Sequence, residues 1–537
     1  MPDRLRLNDD NRKWWTLAAM CFALFMIMLD NTVVNVALPS IQRDLGASLS
    51  SLEWTVNAYT LTFAVLLVTG GRLGDIFGRR RVFLTGVVMF AGSSALIGLA
   101  PTQSWLVAGR ALQGMGAAFM MPGTLSIISN TFPPAERGRA IGTWAGVSAL
   151  ALALGPAVGG ALTEYVSWRA IFFLNLPVAI GAVIVTLFAV RESFDKTVER
   201  RVDFAGIGTL SVGLSALVLA LVEGNGWGWG STEIVALLIT AVVGLTAFVF
   251  VEVRGKAPMV QFEFFRSRSF LGANFVAFIV SFAMLAMFFF IALYMQNILH
   301  YSALQAGIRF LPSTVVIIFA APIAGRLADR IGPRIPMTVG LSLAALALFL
   351  QSQLTATSGY GDLLVPFMIM GLGMGLTMSP MSTAAMNSVS PDKAGVASGI
   401  LSMSRMVGGT FGVAAIGAIF QSLSKSKLTT DLAGIHLTGA QHQAVTDGLG
   451  AGQAGHALKG LDPSTAQEVG RAMKDAFVHG LSGSLKLSTG VAAAGAVLAF
   501  VLVEPKLAAR RQGDAAHAEA QAAEPTAPTT EGQRAAA

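Results

Sequence analysis

The sequence predicts an all-α, polytopic membrane protein with 14 transmembrane helices. Three observations carry this prediction. Mean hydropathy is +0.64, with 54% hydrophobic and only 12% charged residues. Apolar windows of membrane-spanning length recur along the chain, and the Lys and Arg residues fall in alternate short loops between them. A soluble domain carries about twice that share of charge.

A hydrocarbon core about 30 Å thick requires about 20 apolar helical residues. Such windows lie at 14–38, 52–72, 82–100, 105–128, 139–163, 169–190, 203–223, 233–253, 270–296, 305–328, 335–353, 362–386, 397–421 and 480–503. Each is longer than a barrel strand and lacks its alternation, so helix is the only spanning structure that fits. Arg4, Arg6, Arg12 and Lys13 precede the first window as in a signal peptide, but the apolar part is too long, and it reads as an uncleaved helix. The single cysteine, Cys21, lies in that window and excludes an intrachain disulfide.

The balance of 37 Lys and Arg against 30 Asp and Glu would suit nucleic acid if the cations shared one soluble face. Instead they orient the bundle. With the N-terminus in the cytoplasm, the inner loops and span ends hold Arg72, Arg79–Arg81, Arg137, Arg139, Arg191, Lys196, Arg200, Arg201, Arg254, Lys256, Arg266, Arg268, Arg326, Arg330, Arg334 and Lys393. The short outer loops hold Arg43 and Arg169. Both termini are therefore expected inside, in a cytoplasmic membrane. Segment 422–485 faces out and lacks the composition of a folded domain, apart from a short helix over Ser464–His479 with Ser464 as cap. The tail 505–537 reads as disordered.

Gly71-Arg72-Leu73-Gly74-Asp75-Ile76-Phe77-Gly78-Arg79 and Gly325-Arg326-Leu327-Ala328-Asp329-Arg330-Ile331-Gly332 repeat Gly, Arg, Leu, Asp and Gly at equal spacing, 254 positions apart. Two halves of one ancestral unit explain this. The predicted layout is a cytoplasmic start at 1–13, a six-helix bundle at 14–190, two inserted helices at 203–253 and a second six-helix bundle at 270–504.

The repeat resembles the signature loop of the major facilitator superfamily. Further motifs resemble its fourteen-helix drug:proton antiporter family: Leu29-Asp30…Thr32-Val33-Val34-Asn35-Val36-Ala37-Leu38-Pro39, Arg110-Ala111-Leu112-Gln113-Gly114, Gly155-Pro156-Ala157-Val158-Gly159-Gly160, and Trp168-Arg169-Ala170-Ile171-Phe172-Phe173-Leu174-Asn175-Leu176-Pro177. The resemblance implies a two-bundle fold working by alternating access. It also implies export of amphipathic drugs, antibiotics or similar small molecules, driven by the proton motive force without a cofactor. A dedicated carrier of one metabolite, lipid or siderophore is the alternative on the same scaffold. No nucleophile, base or metal cluster converges in any loop, so no enzyme is expected. The partners implied are substrate, protons and the lipid bilayer, with no nucleic acid, and the working unit is a monomer.

Asp30 is the only acid placed well inside a span, where a carboxylate costs about 2.5–3.5 kcal/mol on insertion scales. Arg110, in span 4, is within reach. The pair reads either as a proton-coupling switch or as a permanent ion pair fixing two helices. Asn57, Tyr59, Gln113 and Arg405 are the expected substrate-cavity residues. In span 5, Gly155 and Pro156 predict a bend, and Gly159 and Gly160 close helix approach, which is also ordinary membrane packing. Gly71, Asp75, Gly78 and Arg79, with Gly325, Asp329 and Gly332, form two candidate gate latches. Asp75 is expected to accept hydrogen bonds at a helix N-terminus or to pair with a basic residue.

Arg309, Arg405 and Lys486 are the other cations inside spans, and any of them can receive an anionic group. Gly371-Leu372-Gly373-Met374-Gly375 reads as helix packing instead of a nucleotide loop, since no strand precedes it and no Walker lysine follows. The Phe and Met residues of 275–290 read as an apolar pocket or as lipid-facing surface. Span 2 offers Trp54, Asn57 and Tyr59 without an inner carboxylate, so a lipophilic neutral or monocationic substrate is expected over a dication.

Overall fold

The computed structural model describes residues 9–45, 49–194, 203–255, 260, 262–433, 435, 437–439, 441–442, 445 and 462–505. The expectations for residues 1–8, for most of 434–461 and for the tail beyond Pro505 lie outside the described residues, as do Lys196, Arg200, Arg201 and Lys256.

The regular structure among the described residues is helical. The first half comprises α1 (Asp9–Leu45), α2 (Leu49–Phe77), α3 (Arg79–Gly98), α4 (Gln103–Thr131), α5 (Pro134–Tyr165), α6 (Ala170–Phe173) and α7 (Asn175–Ala189). The pair α8 (Phe204–Trp227) and α9 (Thr232–Arg254) follows. The second half comprises α10 (Arg268–Asn297), α11 (Ala303–Arg309), α12 (Leu311–Ile331), α13 (Arg334–Gln351), α14 (Tyr360–Asn387), α15 (Ala394–Leu432) and α16 (Pro463–Leu502).

Thirteen helical stretches are long and apolar enough to cross a membrane, counting α6 and α7 as one. That count is of the described residues; helix α5, outside it, packs along α1 and α12, so the expected 14 is approximately met.

Two windows that read as single spans are broken. Pro177 cannot donate to the Phe173 carbonyl, and the sixth window divides at Leu174. Pro312 likewise starts α12 afresh after Phe310 caps α11.

Within the first half α1 packs on α5 and α7, and α4 packs on α2 and α3. Within the second half α10 packs on α15 and α16, and α14 packs on α12 and α13. The halves meet through two reciprocal pairs, α2 with α15 and α5 with α12. The internal repeat in the sequence thus has a counterpart in the packing.

The inserted helices close on each other where Gly213 faces Gly244; a Cβ on Gly213 would lie 2.7 Å from the Leu245 nitrogen. Leu214 and Val218 of α8 then cover Ala64 and Val65 of α2, with Met403 and Met406 of α15 packed alongside.

The described parts of 422–485 are more helical than their composition suggested. Helix α15 continues to Leu432 and α16 begins at Pro463, so both run past the windows drawn for them. Leu428, Leu432, Val445, Val469, Met473 and Ala476 form an apolar cluster there, patterned at helical spacing within a polar, glycine-rich background. The cap is Asp462 and not Ser464: its carboxylate accepts from the Ser464 and Thr465 backbone N–H groups at 3.2 and 3.1 Å. These bonds and the Ser464 and Thr465 hydroxyls lower the Asp462 pKa.

Candidate functional site

Close helix approach sets up the site. Gly114 of α4 sits against the Tyr59 carbonyl of α2, and a Cβ on Gly116 would lie 2.7 Å from the Phe90 nitrogen of α3. Helix α4 therefore lies deep between α2 and α3, and its Arg110 enters the interior. Arg110 Nη1 donates to Asp30 Oδ2 at 2.5 Å and to Gln113 Oε1 at 2.6 Å, while Nε donates to the Thr55 carbonyl at 3.0 Å. The Tyr59 ring lies 4.3 Å from the guanidinium carbon. On the other carboxylate oxygen, Asp30 Oδ1 accepts from Gln113 Nε2 at 2.9 Å and from Asn175 Nδ2 at 3.2 Å. Ser94 Oγ accepts from the same two amides at 2.8 and 3.1 Å.

Asp30 and Arg110 are each only 1% exposed. A buried pair of this kind needs satisfied lone pairs to offset desolvation, and the two amides provide that. The sequence expectation that these two residues meet matches the geometry.

Two expected cavity residues are placed differently. Gln113 is 0% exposed and bonds within the buried network, and Tyr59, 1% exposed, packs its ring on Arg110 in this conformation. Gln113 lies three residues from Arg110 and so shares its helix face. Asn57 is half-buried and takes no part in the network. Ser94 and Asn175 were missed. The signals for them were a serine pair (Ser93-Ser94) in an apolar span and an Asn two residues before Pro177.

Nor is Asp30 alone. Asp75, Glu223 and Glu252 are also buried. The second window ended at residue 72, whereas α2 runs on to Phe77 and carries Asp75 inside. Glu252 accepts from the Val260 N–H at 3.0 Å.

The α5 glycines face α1. Gly155 sits against the Thr32 side chain, and a Cβ on Gly159 would lie 2.9 Å from Val33 Cα. Gly160 is half-buried. Helix α5 is continuous through this motif, and the Pro156 side chain lies outside the described residues.

Both candidate gate loops make hydrogen bonds between the halves. Asp75 Oδ1 accepts from Arg79 Nη2 at 2.7 Å and Nε at 2.9 Å. The same carboxylate accepts from the Gly395 and Val396 N–H groups at 3.1 and 2.8 Å, in the first turn of α15. Arg79 also donates to the Asp392 carbonyl at 2.5 Å. In the second latch Asp329 accepts from the Gly138 and Arg139 N–H groups at 3.1 and 3.2 Å, near the start of α5. Acid at a helix N-terminus opposes the positive end of the dipole.

Gly71 lies against the Gly395 carbonyl and Gly325 against the Gly138 carbonyl, leaving no room for side chains. Gly78 and Gly332 turn the chain with φ of 111° and 90°, in the region that favours glycine. Both readings offered for Asp75, helix terminus and basic partner, hold at once.

Of the other span cations, Lys486 is exposed. Arg309 stacks 3.7 Å from the Tyr301 ring centroid, near the opposite end of the bundle from the latches. Arg405 is half-buried between the halves. The 275–290 aromatics divide by face: Phe275 and Phe289 are exposed, while Phe282 and Phe290 pack on Phe411 and Phe420 as core. Gly371 packs against the Ser313 carbonyl and Gly373 against Gly340, as helix packing requires.

Beyond these latches, Asp44 at the far end of α1 accepts from the Trp168 indole at 2.9 Å and from Arg169 at 2.5 Å. These bonds hold its carboxyl below the ordinary carboxylate range.

Comparison with known proteins places this geometry in context. The family model described as Major Facilitator Superfamily matches residues 20–413. The Tetracenomycin C resistance and export protein of Streptomyces glaucescens is 36% identical over 76% of this chain and 76% of that protein. The Multidrug resistance protein Stp of Mycobacterium tuberculosis is 36% identical over 78% of each chain. The Puromycin resistance protein pur8 of Streptomyces alboniger is 36% identical over 93% of each chain. Among solved structures, the proton:xylose symporter XylE aligns over 93% of this chain and 97% of its own, with a TM-score of 0.60 and 12% identity.

Proposed function

The chain belongs to the major facilitator superfamily, and we propose that it exports amphipathic small molecules such as antibiotics across the cytoplasmic membrane in exchange for protons. Its relatives are resistance and export proteins, which supports the outward direction. The basic end of the bundle, where the latches lie, is then cytoplasmic, with both termini on that side.

The observation that carries the coupling is the sealed Asp30–Arg110 pair, whose carboxylate accepts three side-chain hydrogen bonds and whose guanidinium stacks on Tyr59. Protonating Asp30 removes the charge that holds Arg110 and weakens every one of those bonds. Helices α1, α4 and α7 are then no longer tied at that point. The latches hold the cytoplasmic side closed in this conformation. Exchange between conformations requires Asp75 and Asp329 to give up the N-termini of α15 and α5 together.

The energy suffices. One proton moving down 100 mV and half a pH unit releases roughly 3 kcal/mol, which supports about a hundredfold gradient of a neutral compound.

The test is uptake of dyes and antibiotics into everted membrane vesicles under an imposed proton gradient, with wild type beside Asp30→Asn. Uptake that needs both gradient and carboxylate is expected. Gradient-driven uptake that is unchanged in Asp30→Asn would reduce the pair to a structural tie. A single accepted compound in a broad panel would favour a dedicated carrier.

A further inference from the structure

Half-buried Arg405 stands apart from the buried arginines whose partners are described. Arg110 and Arg79 each hold a carboxylate, and Arg137 donates to Asn387 Oδ1 at 2.6 Å and to the Ser129 carbonyl at 2.8 Å. Arg405 has one hydrogen bond, from Nη2 to Ser402 Oγ at 3.5 Å, which is at the limit of such a bond. Its guanidinium carbon, on α15, lies 5.6 Å from the centroid of the Trp144 ring on α5 of the other half. Arg405 comes 11 residues after Ala394 and Trp144 comes 10 after Pro134, which puts both about 15 Å from the basic end. Asp30 comes 21 residues after Asp9, about 31 Å along α1, and its oxygens are already occupied. It is not the missing counter-ion.

A cation held away from bulk water without an anion is costly. Arg405 is only half-buried, on the side of α15 that faces Trp144 of the other half, and so keeps accessible surface, unlike the sealed Arg110. We propose that Arg405 receives an anionic group of the transported molecule, a carboxylate or ionised phenol carried on a lipophilic ring system. The inference rests on the export reading of the same interior. It departs from the neutral or monocationic substrate expected from span 2. The lack of an inner carboxylate there argued against dications but could not reveal a cation waiting for an anion.

The test is binding of 1-pyrenebutyrate and of its methyl ester to the purified full chain in nanodiscs, corrected for partition into empty discs. The acid is expected to bind on the order of 10- to 100-fold more tightly than the ester, the worth of a charge-assisted hydrogen bond. Arg405→Gln should remove that preference and Arg405→Lys should keep part of it. Equal affinities in wild type overturn the proposal. So does a preference unchanged in Arg405→Gln protein whose helical content and unfolding temperature match wild type. If Arg405→Gln does not fold, the wild-type pair decides. Export itself is judged separately by gradient-driven flux in vesicles, so the two readings can fail independently.

Discussion

Asp75 and Asp329, 254 positions apart, accept the same kind of backbone pair, each from the opposite half. The two latches are not equal. They differ in burial: Asp75 is buried together with Arg79, whereas Asp329, which Arg137 faces, is half-buried.

Asp75→Asn should therefore open the basic end more than Asp329→Asn. It leaves Arg79 buried without its anion, a loss of about 3–5 kcal/mol for a broken buried pair. In a Cys21→Ser background, a cysteine placed at buried Ala394 should react with a thiol reagent at least tenfold faster in Asp75→Asn.

Gly325→Ala should act on the same equilibrium by steric means. Its new methyl group would meet the Gly138 carbonyl, so the α5–α12 seam cannot close fully. Slower gradient-driven uptake, with unchanged amounts of protein in the membrane, is the expected result.

Arg110→Lys should fail as a conservative change. The guanidinium serves Asp30, Gln113 and the Thr55 carbonyl from a planar fork, which a single ammonium cannot reproduce. Uptake in everted vesicles should fall at least tenfold.

Gln113→Leu should lower thermal stability by about 1–3 kcal/mol, because Asp30 Oδ1 loses a donor where water cannot replace it. A fluorescence-detected unfolding curve measures this. An unchanged midpoint would mean that Asn175 alone suffices.

Acid should loosen the far end of α1. The Asp44 pKa is lowered in the folded protein by Trp168 and Arg169. Its contribution to stability is thus fully present above the ordinary value of 3.8 and is lost as pH falls through the lower folded value. Trp168 fluorescence should be flat from pH 5 to 8 and change only in strong acid. Asp44→Asn should show the acid-state signal at neutral pH.

The helices were legible because hydropathy and Lys/Arg placement act residue by residue. The paired loops were legible because glycine and aspartate recur at fixed spacing, and Gly78 and Gly332 both take a positive φ. Three-dimensional neighbourhood was harder to read. Tyr59 and Gln113 looked like polar residues awaiting a ligand, but α4 sinks between α2 and α3 and seals them. Ser94 and Asn175 are single polar residues in apolar stretches, and nothing local says which carboxylate they serve. The packed extensions of α15 and α16 were hidden because their apolar stripe is sparse within polar sequence.

Helix α8 touches α2 on one half and α15 on the other. In water, parting Leu214 and Val218 from those neighbours would expose oily surface at a steep cost. In a bilayer the exposed surface meets acyl chains as apolar as itself, and only packing is lost. The inserted hairpin can thus behave as a slip joint, staying with one half while the other swings away, its loss made good by lipid.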